Sequence, residues 1–126
     1  MIHPVRTFSS FSVDDLDKAQ AFYGKTLGLP VNRNQMGLNI QLPDNDIFVY
    51  VKPNHEPATF TVLNFRVKDL EATVDALTAL GVPFQHYTGP LQTNAKGIHS
   101  GGEDPTIAWF ADPSGNILSV IQDNGA

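Results

Sequence analysis

From Thr7 to Val13 the chain reads TFSSFSV, a β-like stretch carrying Phe8, Phe11 and Val13. The next segment, DDLDKAQAFYGKTLGLP, changes period. Leu16, Ala19, Tyr23 and Leu27 recur every three or four residues and predict a helix with one apolar stripe. Asp14 or Asp15 is placed to cap its first amides, and Gly28 followed by Pro30 to stop it. Three short strands are then predicted at Val31–Arg33, Gly37–Leu42 and Ile47–Val51, separated by turn segments. KPNHEPA, Lys52 to Ala58, holds two prolines and reads as a connector.

After the connector the pattern restarts. Phe60–Val67 is a strand, and Asp69 caps a second helix with Leu70, Val74, Leu77 and Leu80 on one face, ended by Gly81 and Pro83. Val82–Tyr87 reads as a further strand and Thr88–Pro105 as a long polar loop. Thr106–Ala111 and Ile117–Gln122 form a hairpin around the turn residues DPSGN. The two halves also match in sequence. SVDDLD, Ser12–Asp17, pairs with RVKDLE, Arg66–Glu71; LGLPV, Leu27–Val31, pairs with LGVPF, Leu80–Phe84. The second match sits one residue out of step with the first, so one residue is gained or lost within the helix. The chain is a duplication of a strand–helix–strands unit.

VDDLDKAQAFYGKTLGLPV, NFRVKDLEATVDALTALGVPF and WFADPSGNILSVIQ resemble the vicinal oxygen chelate superfamily. That group includes glyoxalase I, extradiol dioxygenases, and the fosfomycin- and bleomycin-resistance proteins. The resemblance runs from about Arg6 to Gln122. It implies an α+β fold of two βαβββ modules, about residues 5–52 and 59–123 of a single domain. They would form a cupped mixed sheet with helices on the outer face, usually in a homodimer.

The resemblance also carries metal positions. Family enzymes hold a divalent ion with His, Gln or Glu. One ligand of each module stands seven residues before the capping Asp, which here is Phe8 and Val62. Another stands seven residues after the Asp of DPSGN, which here is Ser119, and the last lies near Phe48–Tyr50. Two of these side chains have no lone pair, and a neutral serine hydroxyl does not hold a metal alone. A slip of register does not help, because Thr61 and Leu63 are no better ligands. The expectation is a protein with no metal and no cofactor.

Strand alternation from Phe8 sends Ser10 to the cup and puts Phe11 and Val13 under the helix. The second copy sends Val62, Asn64 and Arg66 to the cup, and hairpin pairing adds Trp109 and Ser119. These seven residues are the candidate ligand contacts: apolar and aromatic surface with a few neutral polar groups, and Arg66 at the edge. The four histidines read as solvated or capping residues. The functional alternative has His86, His99 and Glu103 bringing contacts to the cup rim. No nucleophile stands beside a base in the sequence, so no catalytic residue is assigned.

Composition narrows the rest. The 126 residues carry a net charge of −5 with scattered basic residues, which disfavours nucleic acid. The absence of cysteine excludes thiolate ligands and disulfides. No apolar run has membrane-spanning length, and the first residues lack the features of a signal peptide, so the expected location is the cytoplasm. The sequence thus predicts a metal-independent small-molecule-binding protein. The alternative is a metal-dependent lyase or dioxygenase with relocated ligands.

Overall fold

A computed structural model describes residues 1–125. The chain divides into two compact units, one from Met1 to Pro57 and one from Ala58 onward. In the first, β1 (Ser9–Val13) leads through α1 (Leu16–Gln20) and a π-helical turn (Ala21–Thr26) to β2 (Val31–Arg33), β3 (Leu38–Ile40) and β4 (Ile47–Val51). The sheet order is β1-β4-β3-β2, with β1 parallel to β4 and the other pairs antiparallel. The second unit repeats the plan with β5 (Thr61–Val67), α2 (Leu70–Ala79), β6 (Ile98–Gly101), β7 (Asp104–Ala111) and β8 (Ile117–Gln122). Its order is β5-β8-β7-β6, with β5 parallel to β8. The α+β architecture of two mixed four-stranded sheets is thus as predicted, and each sheet is open.

Each sheet buries one face against its own helix. In the first unit Val13, Leu38, Ile40, Ile47 and Val49 are buried with Ala19 and Tyr23 of the helix. The Phe11 and Tyr23 rings lie 6.0 Å apart, tying the helix to β1. In the second unit Leu70, Val74 and Leu77 of α2 are buried, as are Ala108, Phe110, Leu118 and Val120 of the sheet. Both caps form as predicted, with the choice in the first falling on Asp15. Its carboxylate accepts from the Lys18 amide, and that of Asp69 from the Ala72 amide. Gln122 adds a tether. Its side chain accepts from the Leu70 amide and donates to the Lys68 carbonyl, fixing the start of α2 to the end of β8.

The one-residue mismatch between the two copies has a structural cause. The first helix does not run on as an α-helix through Leu27. From Ala21 it widens into a π-turn, with Leu27 N donating to Phe22 O. One added residue in a helix is absorbed by such a bulge without moving the elements on either side. Gly24 belongs to this turn: a Cβ there would stand 3.0 Å from Val31 Cγ2, so the turn lies directly on β2.

Three predicted features need correction. Leu80, expected on the buried stripe of α2, is 62% exposed. The helix ends in a Schellman motif, with Gly81 N bonded to Thr78 O and Val82 N to Leu77 O. This motif turns Leu80 outward and buries Val82 instead. The strand expected at Val82–Tyr87 is reduced to one antiparallel bridge, Phe84 to Phe110, extended by Gln85 N donating to Trp109 O. The loop expected at Thr88–Pro105 contains a 3-10 turn (Gly89–Leu91), all of β6 and the start of β7. The outer edge of β7 is therefore served twice, first by Phe84–Gln85 and then by β6, with an excursion between them. Thr93 closes that excursion, its hydroxyl accepting from Tyr87 N and its amide donating to Tyr87 O. Apolar periodicity is a weak guide to β6, whose four residues are Ile-His-Ser-Gly.

Asparagine turns start the two edge connections. Asn34 Oδ1 accepts from Met36 N and Gly37 N, and Asn94 Oδ1 from Lys96 N and Ile98 N. The glycine three residues on is required in both. A Cβ on Gly37 would meet the Val49 carbonyl oxygen at 2.3 Å, and one on Gly97, at φ +86°, would meet Phe84 Cβ at 2.9 Å. Gly37→Ala and Gly97→Ala should each destabilise the fold by about 2–4 kcal/mol, read as a lowered urea midpoint at unchanged slope.

Lys96 ties the same excursion to α2, donating to Glu71 at 2.8 Å and Asp75 at 3.1 Å. Hydrogen bonds to Glu71 and then Asp75 raise its pKa above the ordinary 10.5. A raised lysine pKa stabilises the fold fully below the unfolded value, and the contribution is lost as pH climbs through the folded one. Lys96→Met should therefore lower the melting temperature slightly at neutral pH. The gap to wild type should close in thermal melts run above pH 10.5, and shrink with salt at any pH.

Candidate functional site

The helix covers only one face of each sheet, and strand alternation assigns the residues of the other. On the helix-free face of the first unit, the register puts Ser10 beside Phe48, Phe48 beside Asn39, and Ser12 beside Tyr50. The Phe48 and Tyr50 rings are nearly parallel, at 15° and 6.3 Å. At one end of this face lies a cavity of about 480 Å³. Phe8, Met36 and Phe48 supply its apolar lining, and Arg6, Asp44, Asp46 and Asn39 its polar groups. Phe8 stands just before β1 and is 68% exposed. Of the residues expected from the sequence, this unit holds Phe8 and Ser10.

The other five lie in the second unit. Asn64, Ser119 and Trp109 form one row across β5, β8 and β7. Ser119 is fully buried and its hydroxyl donates to Asn64 Oδ1, so a polar pair is satisfied within the face. The half-buried Trp109 is flanked by Tyr87, edge-on at 5.3 Å, and by His99 at 6.4 Å. Arg66 is exposed at the far end of β5, opposite Ile121. Val62 departs from the expected alternation. The β5–β8 ladder shifts by one residue between Thr61 and Leu63, so Thr61 stands opposite Ile117 and Val62 is passed over.

His99 is not the solvated residue the sequence suggested. It is 5% exposed within β6, and its Nδ1 donates to the Gln92 carbonyl at 2.9 Å. His55 is half-buried, and its Nδ1 shares a 2.7 Å hydrogen bond with the Ser12 hydroxyl. A serine does therefore stand beside a histidine, although the two are distant in sequence. The pair fastens the connector to the end of β1, where Lys52 N also bonds Val13 O. His86 and Glu103 are exposed, and among the described residues no three His, Asp or Glu come together to hold a metal.

The sequence reading missed Met36, Asn39, Asp44 and Asp46 at the cavity and Tyr87 beside Trp109; it weighed Phe48 only as a metal position and His99 only as an alternative rim contact. IFVYV did carry a signal: Ile47 and Val49 point to the core, so Phe48 and Tyr50 must point away from it. Tyr87 had none, because its place depends on where the excursion folds back.

The ligand positions implied for a metal can now be tested against the register. In the second unit the candidate after DPSGN, Ser119, pairs with the residue two beyond Val62. The same relation in the first unit leads from Phe8 through Ser10 to Phe48. The four positions are Phe8, Phe48, Val62 and Ser119. Three have no lone pair to give, and the fourth gives its proton to Asn64. These residues do not fit a divalent ion.

No helix among the described residues is long and apolar enough to cross a membrane. No curated protein matches the sequence. Several solved structures share the fold. Lactoylglutathione lyase from Agrobacterium tumefaciens aligns at 20% identity over 94% of each chain, with a TM-score of 0.68. The fosfomycin resistance protein FosX from Listeria monocytogenes aligns at 15% identity over 99% of this chain and 97% of its own, with a TM-score of 0.69. A bleomycin-binding protein, in complex with bleomycin, aligns at 22% identity over 96% of this chain and all of its own, with a TM-score of 0.68. The profile of one family matches residues 3–120, and the chain belongs to it: the glyoxalase, bleomycin resistance protein and dioxygenase superfamily.

Proposed function

We propose that this protein binds a small organic molecule without a metal ion, on the helix-free faces of its sheets. One observation carries the reading: the positions corresponding to the family's metal ligands are Phe8, Phe48, Val62 and Ser119. What those faces offer instead is aromatic surface with neutral polar groups, the lining typical of small-molecule sites. Phe8 and Ser10 contribute from the first unit. Trp109 and Asn64 contribute from the second, with the buried Ser119 holding the Asn64 side chain and Val62 and Arg66 toward the margins. The structural likeness to a protein captured with bleomycin gives a precedent for binding within this fold. The protein works as a cytoplasmic homodimer, for which the exposed Val51 and Phe60 offer apolar area; sedimentation at micromolar concentration tests this.

Metal analysis separates the binding reading from a relocated-ligand lyase or dioxygenase. The purified protein should carry under about 0.1 equivalent of Ni, Zn, Fe or Mn, and a chelator should leave its melting temperature unchanged. A stoichiometric tightly held metal overturns the proposal. Trp109 is the sole tryptophan, so its emission reports directly on the proposed site. A ligand found by thermal-shift screening should shift that emission. Tyr87→Ala should then weaken binding about 5–20-fold in a fluorescence titration, as expected for loss of one aromatic contact.

A further inference from the structure

We propose that the cavity of the first unit takes an apolar organic monocation, its charge held by Asp44 and Asp46 and its body by Phe8, Met36 and Phe48. This rests on the small-molecule reading and names the chemical class of ligand. The floor of the cavity is apolar. Phe8 and Met36 are 68% and 78% exposed, although both are large and apolar, and they line a hollow of about 480 Å³. A ligand covering them removes that surface from water. Phe48, paired with Asn39 across the β3–β4 ladder, presents an aromatic surface on the same side.

The rim decides the sign of the charge. Asp44 and Asp46 come from the β3–β4 turn, and Asn39 Nδ2 donates to Asp46 Oδ2 at 3.4 Å, steadying that carboxylate beside the floor. Arg6 is the single cation in the lining. Two carboxylates against one guanidinium leave one negative charge to be met, and the whole chain is at −5. An anion would lose its hydration beside two carboxylates, whereas an ammonium or amidinium gains both the carboxylates and the faces of Phe8 and Phe48. The thioether of Met36 adds a polarisable, adaptable wall.

Two dyes of similar size and opposite charge test the assignment. Thioflavin T is an apolar cation, and 8-anilinonaphthalene-1-sulfonate an apolar anion. In fluorescence titrations the wild type should bind thioflavin T about tenfold or more tighter than the sulfonate. The Asp44→Asn, Asp46→Asn double variant should erase that preference, and Arg6→Gln should sharpen it. Phe48→Ala should weaken thioflavin T at unchanged charge. Asp44→Asn alone, at an exposed turn residue, gives a second reading should the double variant fold poorly. Equal affinity for both dyes, or a preference that survives the loss of both carboxylates, overturns the monocation assignment and leaves metal-free binding standing. A wild type that binds neither dye also overturns it, whereas only a stoichiometric metal in the purified protein would overturn the reading beneath it.

Discussion

A sheet has two faces, and in each unit of this protein a single short helix covers one of them. Everything else follows from that arithmetic. The covered face must be apolar at every second residue, as it is at Val13, Val49, Leu118 and Val120. The intervening residues are then released from the demands of the core. They are free to be Ser10, Phe48, Asn64 or Trp109, a mixture that no buried face would tolerate without partners for its polar atoms. What remains of a strand once its alternate residues have done the folding is a face whose residues the core does not choose.

The same alternation made much of the fold legible in advance. Period two marked the strands, period three to four the helices, and Asp14 or Asp15, Asp69 and the DPSGN turn marked their limits. That turn is held as its residues suggest: Asp112 Oδ1 accepts from Ser114 N and Asn116 N, and Asn116 Nδ2 returns a bond to Asp112 Oδ2. Legibility failed where geometry is not periodic. A Schellman motif exchanged Leu80 for Val82, and a shift of one residue passed over Val62. A four-residue edge strand carrying one aliphatic residue, Ile98, went unseen. On the helix-free faces, the places of Ser10, Asn64, Trp109 and Ser119 could be read from alternation, whereas Tyr87 and His99 reach Trp109 only through the tertiary path of the excursion.

The duplication is an internal control on the chemistry. Two copies of one unit give matching ladder pairs, Ser10 with Phe48 and Asn64 with Ser119, each two residues beyond Phe8 or Val62. A single apolar residue at a ligand position can be offset by a neighbour. Apolar residues at three related positions, with a hydrogen-bonded serine at the fourth, do not supply the donors that a divalent ion needs. The superfamily supplies the scaffold, and what is done on it is set by side chains such as these.

The divided edge of the second sheet has a bearing on how this protein survives at high concentration. A strand as long as β7, left open along its outer side, would offer a continuous ladder to any extended chain that met it. Here that side is occupied in two instalments, by Phe84–Gln85 and by β6, with a register irregularity between His99 and Gly101. The excursion that places Tyr87 on Trp109 thus also interrupts a template for unwanted sheet extension. Shortening it would risk joining molecules edge to edge.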